Sequence, residues 1–185
     1  MNYIIFDLEA TCEDRSINPY WDNETIEIGA VKINNNEIID SISIFIKPIE
    51  NPILTNFCKN LTHISQEDVD NGISFVEALN IFVQWATNNG TEEATYCSWG
   101  YYDKSQIKKD CLRHNISSEF IDDRHISIKH QYSEVIYNTS NYYGVAKALR
   151  RENLSFDGTP HRGIDDAKNI AKIFLKFFNK WSFEQ

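Results

Sequence analysis

The sequence predicts an α/β domain: one mixed sheet of five strands, the first three antiparallel, flanked by helices. Three observations predict it. Three β-rich runs, separated by turn-forming or polar residues, occupy the first 47 positions. Beyond them, amphipathic helical patterns alternate with two short apolar runs, the order that builds a layered α/β architecture. The chain has 185 residues, 42% hydrophobic and 24% charged, which is enough for one sizeable core and ordinary for a globular protein. Residues 1–185 therefore read as a single domain.

The first strand opens on Ile4-Ile5-Phe6 and runs into Asp7-Leu8-Glu9-Ala10-Thr11-Cys12. A polar, turn-rich segment covers 13–24. Thr25-Ile26-Glu27-Ile28-Gly29-Ala30-Val31-Lys32-Ile33 is the second strand, Asn34-Asn35-Asn36 a turn, and 38–47 the third strand, with Ile42, Ile44 and Ile46 on one face. Pro48 and Pro52 interrupt the pattern. A short helix is expected over 51–60, and a loop running into a helical turn over 62–69.

Residues 74–88 form an amphipathic helix, with Phe75, Leu79, Phe82, Val83 and Ala86 on one face. Ser74 and Glu77 have the spacing of a capping box, and Asn89-Gly90 ends the helix. A fourth strand follows over 94–99. A helix over 103–115 directs Ile107, Cys111 and Leu112 inward. Residues 124–129 are a short fifth strand and 144–152 a helix. A loop over 154–160 leads to the closing helix, 164–181, with Ile170, Ile173, Phe174, Phe177 and Phe178 as its core stripe.

Composition excludes several classes. No apolar run reaches the roughly 18 residues of a membrane span, and the N-terminus lacks the basic and apolar regions of a signal peptide. The expectation is a cytoplasmic protein with no membrane partner. The four cysteines, Cys12, Cys58, Cys97 and Cys111, form no C-x-x-C pair, so neither a zinc site nor a disulfide framework is indicated. The formal net charge of −9 argues against nonspecific nucleic-acid binding. The charge is uneven, however: residues 1–99 hold 4 basic and 16 acidic side chains, residues 100–185 hold 14 and 11.

The acids carry the chemical signal. Asp7 and Glu9 stand at i and i+2, on the same face of a strand that is otherwise apolar. Adjacent carboxylates repel, and burying them adds a desolvation cost. Either the strand ends at Phe6 and both acids are solvated, or a cation holds them. Asp103 begins a helix just after the fourth strand, and Asp165 and Asp166 fall in the first turn of the last helix. Taken singly, these three suit a helix N-terminus. Taken together, they stand where α/β folds collect their ligands, at the carboxyl ends of strands.

His161-Arg162-Gly163-Ile164-Asp165-Asp166-Ala167 adds a histidine five residues before Asp166. Asp-x-Glu, a distant Asp, and His-x4-Asp together resemble the DEDDh (DnaQ-like) family of 3′→5′ exonucleases. Further blocks stand in that family's order: Ile26-Glu27-Ile28-Gly29-Ala30-Val31, Leu61-Thr62-His63-Ile64, Ser98-Trp99-Gly100-Tyr101-Tyr102-Asp103, and the stretch from His161 to Ala171. The resemblance spans nearly the whole chain and is strongest to the Eri-1/KapD-like exoribonuclease subgroup.

That resemblance implies an RNase H-like fold and a metal-dependent 3′→5′ exonuclease that releases nucleoside 5′-monophosphates. The partner would be the 3′ end of a nucleic acid, RNA favoured over DNA on subgroup likeness alone. Asp7, Glu9, Asp103 and Asp166 would hold two divalent cations, Mg²⁺ or Mn²⁺, as all-oxygen ligation suits. Asp7 would bridge them and Asp103 would act through water. His161 would be the general base, since imidazole titrates near pH 6.5. Asp165 would offset the helix dipole or support its neighbour.

For the substrate, the resemblance implies the backbone of Ala10 and Thr11 under the terminal nucleotide, Phe57 and Ile64 against terminal bases, and Tyr102 as a stacking ring; the alternative is that these side chains belong to the core. Lys168, Lys172, Lys176 and Lys180 recur every four residues on the last helix, as a solvated face or as phosphate contacts. His63, which stands where relatives commonly have glycine, and His114, His125 and His130 match no catalytic position and are expected as ordinary surface or partly buried histidines. With no room for an accessory domain, targeting would fall to protein partners. The alternatives are a DNA 3′→5′ exonuclease and an inactive nucleic-acid-binding or interaction module. The second is disfavoured because all five catalytic positions hold competent residues.

Overall fold

Strand β1 (Asn2–Ala10) lies at the centre of the sheet, in a computed structural model that describes residues 1–122 and 124–182. It pairs antiparallel with β2 (Thr25–Asn34), which pairs antiparallel with β3 (Glu37–Phe45). On its other edge β1 runs parallel to β4 (Ala94–Ser98), which is parallel to β5 (His125–Ser127). The order is β3-β2-β1-β4-β5, the mixed five-stranded sheet expected from the sequence. Residues 183–185 of the expected single domain lie outside the described residues.

Alternation along β1 divides its side chains between two cores. Ile4, Phe6 and Leu8 face α3 (Phe75–Ala86) and α4 (Tyr102–Arg113), packing in one cluster with Phe75, Leu79, Phe82, Ile107 and Cys111. Ile5 faces the other way, into a cluster with Ala148 and Leu149 of α7 (Val145–Arg151) and Ile170, Ile173 and Phe174 of α8 (Gly163–Lys176). Asp7 and Glu9 continue the Ile5 face. The strand thus carries its carboxylates toward the start of α8. The remaining helices are short: α1 (Asn56–Thr62), α2 (Gln66–Asp70), α5 (Glu119–Asp122) and α6 (Ile128–Gln131). No described helix is long and apolar enough to cross a membrane.

Several local expectations are corrected. Leu112 points to solvent, 78% exposed, because the inward face of α4 is Asp103, Gln106, Ile107, Asp110 and Cys111. Gln106 and Asp110 are buried for a reason: Asp110 accepts from the N–H and Oγ1 of Thr25, and Gln106 donates to Asp110. The capping box is only half made at Ser74, which accepts from Glu77 N–H. The reciprocal pair is Ser65 with Asp68, at the start of α2. The first helix starts at Asn56 rather than 51, where Thr55 accepts from Cys58 N–H as N-cap. The last helix ends at Lys176, and the chain turns back so that the Trp181 indole N–H donates to Phe174 C=O. Residues 130–143, for which sequence patterns suggested no element, hold the end of α6 and a π-helical turn, Tyr132–Ile136.

Candidate active site

The site begins with a close approach between β2 and α8. A methyl group at Gly29 would sit 2.0 Å from backbone atoms of Gly163 and Ile164. Only a residue without Cβ lets the helix start this near the sheet. Glu27, wholly buried two residues earlier, accepts from Gly163 N–H at 3.1 Å, from Arg162 Nε at 3.2 Å and from Ser43 Oγ at 2.8 Å. The carboxylate thereby satisfies an otherwise unpaired N–H at the helix N-terminus. Pinned there, the first turn of α8 brings Asp166 to the β1 acids. One ligand oxygen from each of Asp7, Glu9 and Asp166 lies within 4.8 Å of the others.

Asp103 arrives from the first turn of α4. It is buried, and its Oδ1 accepts from the N–H of Leu8 at 3.1 Å, between the two acids of β1. All four carboxylates line one open cleft of about 910 Å³. Crowding shifts their titration upward. Burial first, then the charges of Asp103, Glu9, Asp166 and Glu27, push Asp7 well above the usual carboxylate range. Burial and the charges of Asp166, Glu27 and Asp103 push Glu9 up to about 8. Burial raises Asp103 to about 6, against the opposing Leu8 hydrogen bond. Asp166 is raised by burial, opposed by a hydrogen bond from His161 N–H. Such a cluster is held by protons or by cations, and an all-carboxylate oxygen set suits Mg²⁺ or Mn²⁺.

His161 stands at the rim of the cleft, exposed, with a left-handed backbone (φ 61°). Its N–H donates to Asp166 Oδ2 at 2.7 Å, which fixes the loop to the helix. The neighbouring acids divide their work. Asp166 faces the cleft, whereas Asp165 accepts from Thr159 N–H at 2.9 Å and lies against Gly158, whose φ is 90°. A Cβ at Gly158 would meet the Asp165 carboxylate at 2.5 Å. Asp165 therefore braces the loop that presents His161.

The five substrate-contact expectations fare differently. Tyr102, about half exposed, lines the cleft, and its hydroxyl accepts from Asn23 Nδ2 at 3.2 Å. Phe57 is 41% exposed on α1, outside the cleft lining. Ile64 is corrected: it is 1% exposed, packed with Ile26, Leu54, Cys58 and Val69, and presents no surface to a base. Thr11 is also buried. Its N–H donates to Glu24 C=O and its Oγ1 accepts from Glu24 N–H, closing the 13–24 segment. Ala10 is buried beside it, its C=O accepting from Cys58 Sγ.

The other histidines stay out of the cleft lining. His63 caps α1 with φ 57°, the backbone shape that favours glycine. His114 stacks on Phe75. His125 is buried, pairs with Ser98 Oγ at 2.9 Å, and is pushed down to about 4 by burial. Of the α8 lysines, Lys172 pairs with Asp157 and Lys176 with Glu152. Sequence reasoning missed Trp99, Phe156, Lys147 and Arg150 as cleft-lining residues and Glu27 as the anchor of α8. Only Glu27 left a signal, an acid inside an apolar strand.

A family model described as exonuclease, RNase T, matches residues 4–174. The chain is 30% identical to 3′-5′ exoribonuclease 1 of Rattus norvegicus over 185 residues, covering 93% of this chain and 51% of that protein. It is 30% identical to the 3′-5′ exonuclease Snipper of Drosophila melanogaster, over 95% of this chain and 69% of Snipper. Thus the chain spans about half the length of the mammalian relative. Among solved structures, the nuclease domain of 3′hExo, a DEDDh family member bound to rAMP, superposes with a TM-score of 0.90 at 26% identity, covering 100% of this chain and 96% of that one.

Proposed function

From the premise that the chain belongs to the RNase T exonuclease family, we propose that it is a metal-dependent 3′→5′ exonuclease acting on nucleic acid, with RNA preferred. The observation that carries this is the convergence of Asp7, Glu9 and Asp166 oxygens within 4.8 Å, in a cleft also lined by Asp103 and His161. The RNA preference is supported by the rat relative, named an exoribonuclease, and by the 3′hExo nuclease domain with rAMP in its structure.

The four carboxylates would hold two divalent cations, Mg²⁺ or Mn²⁺, which supply Lewis-acid stabilisation of the charge that develops on the phosphate. His161 takes a proton from the attacking water. The water oxygen bonds to the terminal phosphorus, and the bond to the 3′ oxygen of the penultimate nucleotide breaks. The leaving 3′ oxygen takes up a proton from solvent and the imidazolium of His161 returns its proton to solvent, so the products are a nucleoside 5′-monophosphate and a chain one nucleotide shorter, with a free 3′ hydroxyl. Asp165 and the N–H of His161 hold the loop so that the imidazole meets the water. Tyr102 offers its ring to a base, which contributes about 1–3 kcal/mol without sequence preference.

The test uses 5′-labelled RNA and DNA oligonucleotides with Mg²⁺ or Mn²⁺. Stepwise shortening from the 3′ end is expected, abolished by EDTA and by Asp7→Ala, and faster on RNA. Undiminished shortening by Asp7→Ala overturns the metal assignment. Faster loss of DNA than RNA makes the protein a DNA exonuclease.

A further inference from the structure

The cleft does not end at the carboxylates. Lys147 and Arg150 line it, and the same two residues line a second hollow of about 400 Å³ with Tyr143 and Arg151. The two spaces therefore adjoin at these two side chains of α7. This helix is fixed by its apolar side, where Ala148 and Leu149 are buried with α8. Lys147, Arg150 and Arg151 stand at i, i+3 and i+4, on one exposed face.

The cations elsewhere in this half of the chain are largely engaged. Lys108, Lys109 and Arg113 of α4 pair with Asp122, Asp22 and Asp110. Arg162, Lys172 and Lys176 pair with Glu27, Asp157 and Glu152. Among the described residues, Lys147 and Arg150 make no ion pair. Lys147 Nζ instead lies 4.2 Å from the centre of the Tyr143 ring, and Arg151 lies 5.7 Å from the same ring. Tyr143 is held in turn, its C=O accepting from the Trp99 indole N–H at 2.8 Å.

A chain of net charge −9 with four carboxylates in its cleft repels a polyanion. Cations at the carboxylates offset this only at the scissile phosphate. Phosphates further along the strand need their own counter-charge. The terminal nucleotide brings no phosphate beyond the scissile one, and it ends in the cleft. A path that leaves the cleft over free cations therefore suits the chain on the 5′ side. Resting on the exonuclease reading, we propose that Lys147 and Arg150 form a phosphate track for the nucleotides upstream of the scissile bond.

The experiment compares single-stranded oligonucleotides of two and ten nucleotides. Binding is followed by fluorescence anisotropy in an Asp7→Asn background across a salt series, and turnover in the active protein. Lys147→Ala/Arg150→Ala should weaken 10-mer binding about tenfold more than dimer binding. It should also flatten the log–log salt slope by about 1.4, the value for two lost contacts to a single strand. In turnover it should raise KM on the 10-mer more than on the dimer. Lys168→Ala/Lys180→Ala removes the same charge from exposed α8 and tail positions outside both hollows, and should keep the parental slope.

Equal loss on both lengths, or equal loss in the α8 control, overturns the track. A protein that binds the 10-mer through Lys147 and Arg150 but never shortens it overturns the hydrolytic reading and leaves the track standing. One that shortens the 10-mer with the same KM and salt slope in the double variant does the reverse. Melting within about 2 °C of the parent confirms that the variant is folded, as exposed side chains with no ion pair among the described residues lead one to expect.

Discussion

The carboxylate of Glu27 accepts from the N–H of Gly163 at 3.1 Å, across 136 positions of sequence. Strand β2 thereby holds the first turn of the helix that delivers Asp166. Gly29, on the same strand, lets that turn approach. Gly29→Ala should displace the start of α8, because its methyl would overlap backbone and not a yielding side chain. We expect a destabilisation of about 1–3 kcal/mol and a fall in kcat/KM of about 10²-fold from misplacement of Asp166, read by urea melts and oligonucleotide turnover. Glu27→Gln, which keeps an acceptor for Gly163, should be milder than Glu27→Ala.

The crowded carboxylates predict how the metal-free protein responds to pH. Each raised carboxyl binds more protons folded than unfolded in the window between its unfolded and folded values. For Glu9 that window runs from about 4.3 to about 8. Its contribution is therefore favourable at low pH and is lost as pH rises through the folded value. In EDTA, Asp7→Asn should raise Tm at pH 8 and change it little at pH 5. Mg²⁺ or Mn²⁺ at a hundredfold excess over Kd should add about 2.7 kcal/mol, or roughly 5–10 °C in Tm, to the parent at pH 8. Equal metal stabilisation at pH 5 and pH 8 would contradict this picture.

His161→Ala should lower kcat by about 10²–10⁴-fold, the usual loss for a general base. The His161 contact to Asp166 is made by its backbone N–H. The metal-induced rise in Tm should therefore survive the substitution. A rate equal to the parent's would remove His161 from proton transfer.

His125 predicts acid sensitivity of another kind. Its Nδ1 is buried without a hydrogen-bond partner among the described residues, and burial holds its value at about 4. The unfolded chain takes up a proton near pH 6.5, so this stability is fully present above that value and drains away as pH falls to about 4. A gap of about 2.5 units corresponds to about 3 kcal/mol. His125→Gln should lose about that much less between pH 7 and pH 4 in urea melts, whatever the carboxylates contribute to both proteins.

Tyr102 and Ile64 separate substrate contact from packing. Tyr102→Ala removes a ring that lines the cleft, and should raise KM about tenfold with little effect on Tm. Ile64→Ala empties a core position. It should destabilise by about 2–5 kcal/mol and leave KM nearly unchanged at a temperature where the protein stays folded.

Much of the fold was legible because it rests on local periodicity. The strand alternation of residues 25–47 and the apolar stripe of Phe75, Leu79 and Phe82 each report one face of one element. Errors came where burial was polar or where an element ended without a marker. Leu112 looked like the next inward residue, yet Gln106 and Asp110 hold that face through Thr25. The π-helical turn after α6 has no period to read.

By itself the sequence determined the chemistry on offer: two acids on one face of a central strand, two more near helix starts, and a histidine five residues before the last. Tertiary structure alone decided which of these share a cleft. It turned Asp166 inward and gave Asp165 to the Thr159 N–H, buried Ile64, spent Thr11 on Glu24, and set Lys147 and Arg150 along the same hollow. The physical reason is range. Periodicity constrains neighbours within an element, whereas the cleft depends on contacts such as Glu27 to Gly163, between residues that meet only after the sheet and its last helix have packed.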